Sequence, residues 1–165
     1  MSNQSENQKE VFAHFGLAAY HAQSFEMELK TIFLLLLRAN NRSLSVAALE
    51  QCEAVIDKQT LGTLIRDIRK AVSFDDASVK FCETALENRN RLMHGFYERH
   101  TANLLSHSGR ETIIEELESY INSFDIADSV ARCVSGAIGK SLGITEDMLR
   151  AGVEQMIKDA NSNDE

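Results

Sequence analysis

Residues 86–99, LENRNRLMHGFYER, put two arginines, two asparagines and a histidine within seven positions of a segment that otherwise carries a core pattern. Arginine stays protonated and forks onto phosphate oxygens. Histidine, with an unperturbed pKa of ~6.5, gives or takes a proton near neutrality. Asparagine orients a phosphate or a sugar without adding charge. Cleavage of an RNA phosphodiester uses such groups: a base near the 2′-OH, an acid for the leaving 5′-oxygen, and positive charge for the crowded phosphorane. At 3.6 residues per turn a helix sets Asn90 and His94 one turn apart on one side. Arg89 lies ~140° around from His94, within reach of a shared pocket by its long side chain. Gly95 leaves room for the close approach of another backbone or a ligand.

Three further residues are candidates for supporting roles. Glu26 falls on an apolar stripe, where a carboxylate is costly unless paired. It could face Arg89 or His94 across the bundle, or pair with Lys30 at i+4 on the stripe's edge. Arg91 points away from Arg89 and is either a phosphate contact or a solvated surface group. Tyr97 is the aromatic hydroxyl nearest the histidine. His21 sits beside the same stripe as a hydrogen-bonded structural histidine, and His100 and His107 fall in a loop. No metal site is expected, because Glu-x-x-His, His-Glu-x-x-His and Cys-x-x-Cys are all absent. No glycine-rich phosphate loop and no Gly-x-Ser-x-Gly elbow occur either. No cofactor is expected.

The elements that must carry these residues are helices. The chain has no proline, 8 glycines and no tryptophan, a composition that suits helix interiors and lacks the turn punctuation of a β-sandwich. The first helix is predicted over 8–39, with Phe12, Phe15, Ala19, Ala22, Glu26, Leu29, Phe33 and Leu36 in alternating steps of three and four. Shorter helices follow over 44–57 and 61–73, and Asp75 or Asp76 caps the next. That helix shows Val79, Cys82, Leu86, Arg89, Met93 and Phe96 on one face, so Leu86, Met93 and Phe96 would anchor the polar trio to a core. A loop over 100–110 leads to a long helix near 111–142, with Ile113, Leu117, Tyr120, Phe124, Ala127, Ala131, Val134 and Ile138. Gly143 breaks it, and Thr145 caps a short amphipathic helix to about residue 158. The expectation is one all-α domain over 1–165, an up-and-down bundle with a short additional C-terminal helix, ordered over about 8–159 between frayed tails.

Charge sharpens this reading. The net charge is −8, but residues 58–99 carry 8 Lys/Arg against 6 Asp/Glu, while residues 100–165 carry 5 against 12. A basic island in an acidic chain suits a local anion site, not a broad DNA-binding face. The longest apolar run, IFLLLL at 32–37, is far short of the ~20 residues of a membrane span. The polar N-terminus lacks a signal-peptide layout. Three widely spaced cysteines suit small buried side chains in a reducing, cytoplasmic setting.

RNRLMH at 89–94 resembles the Arg-x4-6-His motif of the HEPN superfamily, including the polar Asn that commonly follows the arginine. The helical layout of residues 10–140 is similar to the family's, though the specific part is six residues long. The resemblance implies a small α-helical bundle that dimerises, with Arg89, Asn90 and His94 of two chains meeting across a two-fold axis. It further implies a metal-independent endoribonuclease of a toxin–antitoxin or phage-defence system, attacking through the 2′-OH to leave a 2′,3′-cyclic phosphate and sparing DNA. An antitoxin or regulatory protein would be a partner. Members paired with nucleotidyltransferase antitoxins tend to carry tyrosine two residues after the histidine. Here Phe96 holds that position and the tyrosine is displaced to Tyr97, which puts that mode of regulation in doubt. A non-catalytic HEPN-like module binding a nucleotide or protein is the alternative, as is a plain helical interaction domain.

Overall fold

The computed structural model describes the backbone of residues 2–162 and the side chains of residues 8–162. Seven α-helices and no strand occur among them: α1 (Ser2–Asn40), α2 (Val46–Ile56), α3 (Leu61–Ala71), α4 (Asp76–Met93), α5 (Phe96–Arg99), α6 (His107–Ser141) and α7 (Glu146–Ser162). A 3-10 turn, Asn103–Leu105, precedes α6. Among the described residues no helix is long and apolar enough to cross a membrane. The all-α expectation holds. Of the expected frayed tail over 161–165, residues 161 and 162 continue α7 and residues 163–165 lie outside the described residues.

Side-chain caps mark most helix starts. Ser45, Thr60, Asp75, Ser106 and Thr145 each accept the backbone N–H three residues on, at 3.2, 3.3, 2.7, 3.0 and 3.2 Å, satisfying donors that a helix start leaves orphaned. Of the two aspartates offered for α4, Asp75 is the cap. Its carboxyl is held below the ordinary carboxylate value by the Ser78 N–H. α1 begins at Ser2 rather than residue 8, since the polar stretch before Gln8 contains neither proline nor glycine to stop it.

The long helices α1 and α6 form the spine. On α6 the buried apolar side chains are Ile113, Leu117, Tyr120, Phe124, Ala127 and Ala131, on the face predicted from their spacing. On α1 the buried stripe is Val11, Ala18, Ala22, Phe25, Leu29 and Ile32, rotated by one residue from the predicted one except at Ala22 and Leu29. α1 is apolar over a broad arc, because α6, α3 and α4 all pack on it, and the periodicity alone does not say which edge goes deepest. Phe15, Phe33 and Leu36 flank the core, while Phe12 is 54% exposed. The turn of the stripe moves Glu26 out to the rim, with 27% of its side chain exposed.

Polar side-chain contacts fix the direction of the spine. His21 Nδ1 lies 2.5 Å from Asp125 Oδ1, His14 Nε2 lies 3.7 Å from Glu118, and Arg132 lies 3.9 Å from Glu28. Both members of each pair advance together along the chain, so α1 and α6 run parallel. α4 runs antiparallel to α1, since Arg89 meets Glu26 while Phe96, just beyond its end, meets Phe15. α3 closes the remaining side with Leu61, Leu64, Ile65 and Ile68.

Candidate functional site

The predicted trio does not sit on one continuous helix. α4 ends at Met93, and His94 has left it, with φ −121° and ψ 107°. Gly95 follows at φ 74°, a left-handed conformation that side chains disfavour. The glycine therefore serves the turn, and a Cβ there would meet only Glu98 Oε2 at 3.7 Å. α5 then restarts the chain, anchored by buried Phe96. The His94 amide still donates to Asn90 O at 3.0 Å, so the two residues remain neighbours across the last turn. Arg99 caps this end: its guanidinium donates to Arg91 O at 3.1 Å and to His94 O at 3.3 Å, where a cation also complements the negative end of the helix dipole.

Arg89 leans the other way, toward α1. Its Nη2 lies 3.4 Å from Glu26 Oε2 and its Nη1 lies 3.4 Å from Asn90 Oδ1. Glu26 also faces Lys30 at 3.7 Å, and Lys30 reaches Asp57 at 2.8 Å. The hydrogen bond to Asp57 raises the Lys30 pKa above its ordinary value. Both partners considered for Glu26 are thus engaged, the i+4 lysine and the cross-bundle arginine. A groove of about 360 Å³ lies over this cluster, lined by Ala19, Gln23, Glu26 and Lys30 from α1 and Arg89 and Met93 from α4.

His94 is exposed and does not line that groove, and its side chain makes no hydrogen bond or ion pair among the described residues. Asn90 is exposed as well. Arg91 stands on the α6 side, close enough to Tyr120 for its charge to act on that phenol. Tyr97 packs its ring against Phe15 and Phe12 at centroid distances of 5.0 and 6.0 Å, and burial raises its pKa. Met93, expected as an anchor, is 47% exposed, because the core face of α4 is Cys82, Ala85 and Leu92. Leu86 is half-buried against that core. The structure therefore joins Arg89 to Asn90 and to Glu26 and leaves His94 outside the groove.

A polar cluster beneath the turn was not foreseen. His100 is buried, stacked 4.6 Å from the Phe96 ring, with Nε2 2.9 Å from Glu116 Oε2. Glu116 also accepts from the Tyr120 hydroxyl, whose pKa is pushed up to about 12, first by burial and then by that carboxylate. Asn88 Nδ2 donates to Ser123 Oγ at 2.9 Å, so this asparagine ties α4 to α6. The segment over 100–110 is a folded corner, not a loop. The available signal was Ser106 three residues before Gly109, a cap spacing that starts α6 four residues earlier than predicted.

An exposed apolar strip flanks the groove. Phe12, Gly16, Ala19, Tyr20, Gln23 and Met27 share one face of α1, and Tyr20 and Met27 are 67% and 66% exposed. Met93 and Tyr97 continue the strip across α4 and α5. Among the described residues no three His, Cys, Asp or Glu side chains gather as a metal-ligand set. Comparison with protein-family models, with curated proteins and with solved structures finds no match to this chain.

Proposed function

We propose that the chain is a HEPN-like, metal-independent endoribonuclease that works as a homodimer in a cytoplasmic toxin–antitoxin or phage-defence setting. The observation that carries the reading is the contact of Arg89, which lines the groove, with Asn90, one turn from the exposed His94, and an apolar strip alongside. That strip would seat a second copy, and pairing there would bring two sets of the trio toward one RNA strand. In the reaction the 2′-oxygen attacks phosphorus, its proton passes to a base, and the P–O5′ bond breaks as an acid protonates the 5′-oxygen. The products are a 2′,3′-cyclic phosphate and a 5′-hydroxyl. His94 serves as acid or base, Arg89 clamps the phosphate through its charge, and Asn90 positions it.

A second reading is supported by the charge of the groove. Arg89 and Lys30 are offset by Glu26 and Asp57, and the chain as a whole is acidic. A groove neutral at rest suits a non-catalytic HEPN-like module that binds a nucleotide or a protein. Incubating RNA with the wild type and with His94→Ala in EDTA separates the two. Cleavage with cyclic-phosphate ends by the wild type, lost in the variant, supports the nuclease. No cleavage by either protein, with nucleotide binding abolished by Arg89→Ala, supports the module.

A further inference from the structure

His94 stands where the backbone is least restrained. It has left α4, and Gly95 after it sits at φ 74°. Glycine has the widest backbone freedom of any residue, so the chain beyond His94 does not by itself fix the His94 carbonyl. Among the described residues no main-chain N–H bonds to the carbonyl of His94 or of Arg91. The guanidinium of Arg99 supplies both bonds, Nη1 to His94 O at 3.3 Å and Nη2 to Arg91 O at 3.1 Å. A rigid planar fork of donors can serve two carbonyls at once, which a lysine cannot do.

Arg99 is in turn held from α6. Its Nη2 lies 3.9 Å from Glu116 Oε1, and its Cζ stands 5.8 Å from the centre of the Phe96 ring. Glu116 has its own anchors: Oε1 accepts from the hydroxyl of buried Tyr120, and Oε2 lies 2.9 Å from Nε2 of buried His100. Asn103 Nδ2 lies 3.4 Å from the other His100 ring nitrogen. We infer that Arg99 and Glu116 are positioning residues for His94, a relay through which α6 sets where the histidine stands. The inference rests on the reading of His94 as acid or base.

The relay has a counterpart on the other side. Arg89 is tied to Glu26 of α1 at 3.4 Å. The two ends of RNRLMH are thus tethered to the two spine helices, each through a glutamate, and the packing of α1 on α6 sets the distance between phosphate clamp and proton carrier. A site of this kind needs its groups held within ~0.5 Å of the productive geometry by residues behind them. A displacement of ~1 Å costs about 100-fold in rate.

Two measurements on the full chain test this. Arg99→Ala removes the fork, and Glu116→Gln removes the charge that holds it. Asn88→Ala is the matched control, because it cuts another bond between α4 and α6, Asn88 Nδ2 to Ser123 Oγ at 2.9 Å, away from the turn. Amide exchange by NMR should show protection of the His94 N–H falling roughly 3–10-fold in both relay variants and unchanged in the control. RNA cleavage by the relay variants should lose roughly 10–100-fold in kcat, with KM unmoved because Arg89 and Asn90 keep their places. Arg99→Lys, which keeps the charge but not the fork, should fall between, and it carries the comparison if Arg99→Ala does not fold. A wild type that cuts no RNA ends the nuclease reading, and the exchange data then decide the relay alone. Unchanged His94 protection in either relay variant overturns the inference. So does an equal loss in Asn88→Ala, since loosened packing would then account for it, and so does an active wild type whose relay variants keep their kcat.

Discussion

Replacing Gly109 by alanine offers a stringent test of how the corner before α6 is built. A Cβ at this position would overlap Asn103 O and lie 2.6 Å from Asn103 Cα and 2.8 Å from its carbonyl carbon. All three are backbone atoms, so no side chain can swing aside. Restoring an ordinary contact of ~3.4 Å requires the 3-10 turn to move by roughly 1 Å. Such overpacking costs about 1–3 kcal/mol. For a chain of this size each kcal/mol lowers Tm by ~2–4 °C, so Gly109→Ala should lose roughly 2–12 °C in a thermal melt followed at 222 nm. Gly16→Ala is the matched control. Gly16 is inside α1 with nothing within 4 Å of a Cβ, so alanine there should stabilise by about 0.5–1 kcal/mol. A Gly109→Ala protein melting at or above the wild-type temperature would refute the packing argument.

Glu26→Gln removes the carboxylate 3.4 Å from Arg89 and 3.7 Å from Lys30, so nucleotide or RNA affinity measured by fluorescence anisotropy should rise and become more salt-dependent. Arg99→Ala withdraws both donors from the end of α4, and amide exchange over 93–96 should quicken while global stability falls by only about 0.5–1 kcal/mol. Alkylation followed by mass spectrometry should modify Cys133 first, Cys52 next and Cys82 last, because Cys82 is buried and its pKa is pushed up to about 11. Asp75 has a lowered pKa, so its cap stabilises the native state above the ordinary carboxylate value of 3.8 and is lost as pH falls through its lowered one. Asp75→Asn keeps the acceptor oxygen and should flatten that part of an acid-unfolding curve.

How much of this was legible depends on where each signal came from. α6 could be read residue by residue, since Ile113 to Ala131 alternate cleanly and polar groups fill the other faces. α1 could be placed but not rotated: phenylalanines at 12, 15, 25 and 33 spread around the helix, and only its neighbours decide that Phe25 goes inside. The end of α4 was missed because Gly95 is the one residue that announces it, and a single glycine within a helical pattern also fits a continuing helix. The Arg89–Glu26 contact spans 63 positions. The sequence raised it only as a question, because a costly carboxylate asks for a partner without naming one. His100 offered no local signal, since its partner Glu116 becomes a neighbour only when the 3-10 turn folds the chain back.

The parallel pairing of α1 and α6 bears on how the chain is made. His14 meets Glu118 and His21 meets Asp125, so each α1 residue finds its α6 partner 104 positions later. At ~5–20 residues per second, that partner leaves the ribosome about 5–20 s after α1 does. Throughout that interval Phe25, Leu29 and Ile32 lack the surface that finally covers them, and α3 and α4 can shield only part of the stripe. α1 is thus made well before its packing is completed, which makes closure of the spine a late step of folding.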